Sequence, residues 1–265
     1  MGGTHQGAEE EYYYQEEREY MSSNAGSFKI GIPIYPDFDP LDVVGPFEVF
    51  SWLNAGVWNR KVEVFLVGES LRPVGTFNGL SLTPVKTFEG SKHKCPPLDL
   101  VFVPGGNTPG LTDAMKNKHL LRFLERHAED ARFVTSVCTG ALILASAGLL
   151  DGFTATTHWS VVDCLKLFPR VKVVNGCPRY VVDGNRVTGA GISSGLDMAL
   201  ELVAMITGDD RMAKQVQLNI QYNPHPRFDA GDPCVADYDT YNAVHGTGKG
   251  SFEYNVCRAV REIVK

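Results

Sequence analysis

The sequence predicts an α/β fold, a largely parallel β-sheet sandwiched by helices, on three observations. Short apolar runs recur at residues 28–35, 61–67, 99–103 and 133–137. Segments with helical periodicity separate them, which implies right-handed crossovers and a sheet covered on both faces. The third observation is a corner. In RFVTSVCTGALILASAGLL, residues 132–150, a β-type run turns within one residue into an apolar helix.

The elements follow in order. Residues 1–27, with EEEYYYQEEREY inside, lack a 3.6- or 2-residue period and read as an acidic, Tyr-rich tail outside the fold. The α/β domain is expected over 28–230 and a C-terminal extension over 231–265. The first strand is 28–35. After a turn at 36–40, residues 41–53 place Val43, Phe47, Val49 and Phe50 at helical spacing. A second strand covers 61–67, and 73–83 read as a hairpin about Asn78-Gly79, a pair suited to a two-residue turn. The run 99–103 is a strand that ends in Pro104-Gly105-Gly106. A helix at 112–129 leads to the strand at 133–137 that feeds the corner. Beyond it come a helix at 159–168, strands at 171–174 and 179–187 (the latter turning at Asp183-Gly184-Asn185), helices at 193–207 and 210–220, and a last helix at 253–264.

In parallel sheets the ligand site lies at the carboxyl ends of the strands. The turn after Tyr35, the loop after Val103 and the corner at Cys138 should therefore converge. Cys138 has small residues two positions to either side, Ser136 and Gly140, as a nucleophile elbow requires. A thiol at the first turn of a helix feels unpaired N–H groups and the positive end of the dipole, which favour thiolate. Most free cysteines are buried small hydrophobes, but the corner favours a functional one. Asp42, between Leu41 and Val43, reads as a helix N-terminal anchor or an active-site acid/base, with the local pattern favouring the anchor. Asp37 and Asp39 read as turn residues, and Glu48 as a weaker second carboxylate. Gly105 and Gly106 expose backbone N–H groups suited to an oxyanion, or simply make a tight turn. Thr139 adds a hydroxyl and an amide beside the nucleophile. His158 opens a helix, where capping or packing is the commoner role and catalysis the alternative.

Composition narrows the function classes. The 265 residues carry a formal net charge of −6, which argues against a nucleic-acid surface. No apolar run approaches the ~20 residues of a membrane span, and the N-terminus does not read as a secretory signal. The cysteines at 95, 138, 164, 177, 234 and 257 form no C-x-x-C pair and no metal-ligand cluster. Without a secretory signal, reduced thiols in a cytoplasmic setting are expected. Cys164 reads as core, Cys95, Cys177 and Cys234 as loop residues, and Cys257 as part of the last helix.

The segments IPIYPDFDPLDVVGPFEVF, DLVFVPGG, TSVCTGALILASAGLLDGFTATTHW, RYVVDGNRVTGAGISSGLDMALEL and QYNPHPRFDAGDP, in this order and spacing, resemble the ThiJ/PfpI superfamily. That resemblance implies a flavodoxin-like fold and a homodimer. Within the superfamily the chain looks like the isonitrile hydratases, where an LD-x-x-GP acid, a CTGA elbow and an ATTHW segment occur together. The resemblance implies Cys138 as nucleophile, Asp42 as the carboxylate beside it, and Thr139 with the backbone of Gly105 and Gly106 as oxyanion and substrate contacts. His158 belongs to the same substrate-binding group. The implied reaction adds water to an isonitrile, a small-molecule substrate, with no metal or organic cofactor. Peptidase-like members carry His after the cysteine, where this chain has Thr139. Regulator-type members carry a DNA-binding domain, for which the 35 residues after Ala230 are not expected to suffice. A glyoxalase-like hydratase, an amidase and a non-enzymatic thiol sensor are the competing readings, since all use the same cysteine.

Overall fold

The computed structural model describes residues 26–56, 58–90, 92–245 and 248–265, so the expected tail lies outside them except for Gly26 and Ser27. The chain opens with β1 (Phe28–Pro33), α1 (Pro40–Ser51) and β2 (Val62–Gly68). The short strands β3 (Val74–Gly75), β4 (Ser81–Leu82) and β5 (Lys86–Thr87) follow. Next come β6 (Leu100–Val103), α2 (Gly110–Ala114), α3 (Lys118–Ala128), β7 (Phe133–Ser136) and α4 (Gly140–Ser146). After β8 (Thr154–Ala155), α5 (Val162–Leu165) and β9 (Lys172–Val173), the hairpin β10 (Tyr180–Asp183) and β11 (Arg186–Gly189) completes the strands. Four helices end the chain: α6 (Ser194–Thr207), α7 (Asp210–Asn219), α8 (Tyr238–Val244) and α9 (Phe252–Ile263).

Seven strands form one sheet in the order β10-β11-β7-β6-β1-β2-β5. Every pairing is parallel except β10 with β11 at one edge. The central strands explain their position by composition: all four residues of β6 and all four of β7 are buried. A strand buried on both faces offers no place for polar alternation, and β6 reads as a continuous apolar run, while β7 also buries Thr135, whose hydroxyl donates to the Val101 carbonyl at 2.9 Å, and Ser136. Two helix groups flank the sheet: α1, α6 and α7 pack together, while α4 meets α3 and α5, and α5 meets α9. Gly45 packs close to Leu196 of α6, so the Gly45-Pro46 step serves the contact between α1 and α6. Among the described residues no helix is long and apolar enough to cross a membrane.

The structure differs from the sequence reading in several places. The helix expected at 112–129 is two helices, because Asn117 caps a new start by accepting the amides of His119 and Leu120. The helix expected at 159–168 is a 3-10 turn, Trp159–Val161, followed by the single turn α5. The strand expected at 171–174 is β9, which pairs with β8 outside the main sheet. In the C-terminal extension α8 joins the expected last helix.

The largest correction concerns the thiols. Cys164 is bonded to Cys257 and Cys177 to Cys234, leaving Cys95 and Cys138 as the free cysteines. Partners 93 and 57 residues apart leave no local spacing signal, so sequence order could not pair them. Disulfides persist in oxidising surroundings, and the thiol argument for a cytoplasmic setting falls with them. The Cys164–Cys257 bridge ties α9 to the α/β body, where Val256, Ala259 and Val260 are buried. A loop of this length closed by a bridge stabilises by about 2–5 kcal/mol. Cys257→Ser should therefore lower the urea unfolding free energy by about that amount. A variant as stable as the wild type would remove this bridge from the account of the fold.

Candidate active site

The site is built at the carboxyl ends of β1, β6 and β7. Cys138 follows β7 and has φ +56°, a left-handed conformation rare outside glycine and strained by about 1–3 kcal/mol. Several contacts hold it there. Its amide donates to the Gly189 carbonyl at 3.2 Å, and its carbonyl accepts the Thr157 hydroxyl at 2.9 Å and the His158 amide at 3.3 Å. Small flanking residues are required by approach distance: a Cβ on Gly140 would lie 2.3 Å from the Val103 carbonyl oxygen. A Cβ on Gly105 would lie 2.6 Å from the Thr139 amide and 2.8 Å from Cys138 Cβ. The loop after β6 and the elbow are therefore in direct backbone contact.

Asp42 belongs to this contact and not to the helix end. Asp39 is the N-cap of α1, accepting the Leu41 amide at 2.9 Å, with Pro40 in the first turn. Asp42 is fully buried and reaches across to accept the Gly105 amide at 2.9 Å on Oδ2. Its Oδ1 is buried without a hydrogen-bond partner, and the Cys138 thiol is near enough to influence the carboxyl. Burial, reinforced by the charge of Asp39, pushes the Asp42 carboxyl well above its usual range. Burial and the nearby Asp42 also push the Cys138 thiol well up, against the lowering effect of the Thr139 amide. The expectation that the helix terminus makes Cys138 a thiolate is thus overturned at rest: α4 is seven residues long, and desolvation outweighs it. Burial thus favours the protonated form of both the thiol and the carboxyl beside it.

The two glycine amides are engaged within the protein. Gly105 N–H holds Asp42, and Gly106 N–H donates to Thr139 Oγ1 at 2.9 Å, whose hydroxyl returns its proton to the Gly106 carbonyl at 3.1 Å. Tyr35 supports the same loop by donating to the Pro104 carbonyl. The Thr139 amide, directed at the Cys138 sulfur, is the donor left for developing negative charge.

A cavity of about 170 Å³ opens at Cys138. Asp39, Gly106, Asn107, Thr139 and His158 form its polar side, and Phe77, Ile192 and Phe252 its apolar side. Asp42 lies behind Cys138, outside the lining. The His158 ring accepts the Ser160 amide on Nδ1 and meets the Ser160 hydroxyl at 2.8 Å, which assigns the ring proton to Nε2. Burial lowers its pKa to about 4, so His158 is neutral near pH 7 and donates rather than carries charge. Glu48 is excluded from the site: it accepts the Trp52 indole N–H on an exposed face. Sequence reasoning missed Asp39, taken for a turn residue, although Asp-Pro before an apolar helix is a capping signal. It also missed Phe77 and Phe252, which no local pattern marks. A larger groove of about 330 Å³, lined by Lys116, Arg258 and Glu262 among others, contains no nucleophile. Among the described residues the cluster Cys177, Asp232 and Cys234 has metal-ligand chemistry, but its two sulfurs are joined.

With this geometry in hand, comparison with known proteins is decisive for lineage. The sequence profile of the DJ-1/PfpI family matches residues 28–205. The chain belongs to the DJ-1/PfpI family. It is 42% identical over 210 residues to an isonitrile hydratase of Pseudomonas putida, covering 79% of this chain and 85% of that protein. It is 33% identical to the HTH-type transcriptional regulator GbdR of Pseudomonas aeruginosa, but the match spans only 36% of the regulator. Among solved structures, a THiJ/PfpI family protein from Pseudomonas syringae superimposes with TM-score 0.78 at 33% identity, covering 90% of this chain and 91% of the other. The flavodoxin-like, mostly parallel architecture of the family is the architecture found here.

The electrostatics of the pair make a testable statement. Once ionised, Asp42 raises the Cys138 pKa, so a replacement that cannot ionise lowers it. Asp42→Asn should shift the pH profile of Cys138 alkylation by iodoacetamide toward lower pH, read by intact-protein mass. An unshifted profile would mean that Asp42 stays uncharged while Cys138 titrates.

Proposed function

We propose that this protein is a cysteine-dependent hydratase that adds water to an isonitrile, R–N≡C, to give the N-substituted formamide. The observation that carries the reading is the burial of Asp42 beside Cys138 at a small, half-apolar cavity. The kinship to an isonitrile hydratase over most of both chains supports it.

An isonitrile carbon must gain both a nucleophile and a proton. Cys138 Sγ forms its bond to that carbon as the thiol proton is relayed to the same carbon, with the Asp42 carboxyl giving one proton and taking the other so that it ends as it began. The product is a thioimidate, R–N=CH–S–Cys138. Water then adds to the thioimidate carbon, the C–S bond breaks, the sulfur recovers its proton, and R–NH–CHO leaves. Asp42 manages the sulfur proton from behind. Asp39, in the cavity lining and with its own carboxyl pushed up by burial, is placed to handle the water. Thr139 N–H and His158 Nε2–H stabilise the charge that develops on the substrate. No step requires a metal or organic cofactor.

A thiol sensor fits less well, because reversible oxidation selects exposed, low-pKa thiolates. Cys138 is 5% exposed and its thiol is pushed up. A homodimer, which the resemblance implies, belongs to this proposal and is read directly by light scattering.

Wild type should convert cyclohexyl isocyanide to its formamide, and Cys138→Ala should lose more than about 10³-fold in kcat/KM. Turnover retained in the variant would reject the nucleophile; an inactive wild type with an alkylatable Cys138 would reject the substrate class. Asp39→Asn keeps the helix cap but cannot take a proton. It should slow thioimidate breakdown, so that a mass adduct on Cys138 accumulates, and a variant with wild-type kinetics would confine Asp39 to capping.

A further inference from the structure

The family match ends at residue 205, yet the catalytic cavity is lined by Phe252 from α9. A segment beyond the family profile thus contributes to the pocket beside Cys138. Its placement is not incidental. Ser251 caps α9 by accepting the Tyr254 amide, and Val256, Cys257, Ala259 and Val260 are buried against the body. Cys257 lies five residues after Phe252, about 7.5 Å along the helix axis, and is bonded to Cys164 of α5. On the other side, Trp159 stacks on the rings of Tyr241 and His245 and neighbours His158. Both ends of the extension therefore bear on the loop that carries His158.

We propose that α9 is a specificity wall: Phe252, with Phe77 and Ile192, limits the substituent a substrate carries beside Cys138, and the Cys164–Cys257 disulfide holds that wall in place. The accepted class is a compact, uncharged, apolar substituent, a small linear or cyclic alkyl group. Three apolar side chains leave a bulky or charged group either no room or no solvation in a cavity of about 170 Å³. Without the bridge, α9 keeps its buried apolar face but loses its covalent fixed point, and the wall loosens while Cys138 and Asp42 stay where they are. Only the identity of Cys138 as the reactive thiol is taken from the hydratase reading.

The experiment measures Cys138 alkylation by iodoacetamide and by its N-benzyl and N-naphthyl analogues, with the modified residue mapped by peptide mass. Wild type, Phe252→Ala, Phe252→Trp and Cys257→Ser are compared, and formamide production is assayed in parallel. In Phe252→Ala the ratio of the bulky to the parent rate should rise by about tenfold, the range a pocket gains per small apolar group removed. It should fall in Phe252→Trp and rise in Cys257→Ser. Identical size profiles in wild type, Ala and Trp variants overturn the wall; a Cys257→Ser profile equal to wild type overturns the clamp. Because alkylation needs no isonitrile, an inactive wild type with shifted profiles rejects the hydratase and keeps the wall. An active wild type with superimposed profiles does the reverse.

Discussion

Burying a carboxyl beside a thiol is the constraint on which the rest of this site depends. An ionised, unpaired carboxylate in an apolar interior costs several kcal/mol, and Asp42 has one oxygen with no conventional partner. Burial favours the protonated carboxyl, while the Gly105 amide and the neighbouring Cys138 thiol act the other way and offset part of the cost of charge, and both contacts depend on the close approach of two loops. That approach in turn demands glycine at 105 and 140 and a left-handed Cys138. Strain in one residue, absent side chains in two others and a raised carboxyl pKa are one arrangement seen from different atoms.

Much of the architecture was legible because it rests on local signals. The apolar runs of β6 and β7 can occupy only the middle of a covered sheet, and the Asn78-Gly79 and Asp183-Gly184-Asn185 turns mark antiparallel strand pairs. The corner at Cys138 was legible for the same reason, since small-x-Cys-x-small is a short-range steric demand. What failed was what distance decides. The roles of Asp39 and Asp42 depend on a loop more than sixty residues away. The glycine amides looked free because sequence does not show the acceptors that claim them. The disulfides and Phe252 come from separations of 57 residues and more, where no periodicity survives.

The C-terminal segment reaches the cavity from beyond the family profile. The strand ends fix Cys138, Asp42 and the two glycines, and every one of these residues lies within the matched part of the chain. Helices beyond it reach back across α5 and the Trp159 turn, where they meet the cavity edge. Function resides in sites placed on folds, and here the rim of the site is contributed by the part of the chain least constrained by the sheet. A covalent tie suits such an appendage: α9 is a twelve-residue helix and packs on a limited apolar face.

The protonation state of the pair also discriminates among cysteine chemistries. Amide hydrolysis builds an oxyanion and needs free donors aimed at it, but the Gly105 and Gly106 amides are occupied, which leaves the Thr139 amide and His158 Nε2–H. A sensor needs a standing thiolate. Addition to an isonitrile carbon has a different requirement, a nucleophile and a proton arriving at the same atom. A thiol and a carboxyl side by side, both favoured in their protonated forms by burial, can supply the two together. Desolvation, which would handicap a hydrolase or a sensor built on Cys138, is the effect that favours those protons, and so the feature most at odds with an activated thiolate is the one that suits the proposed addition.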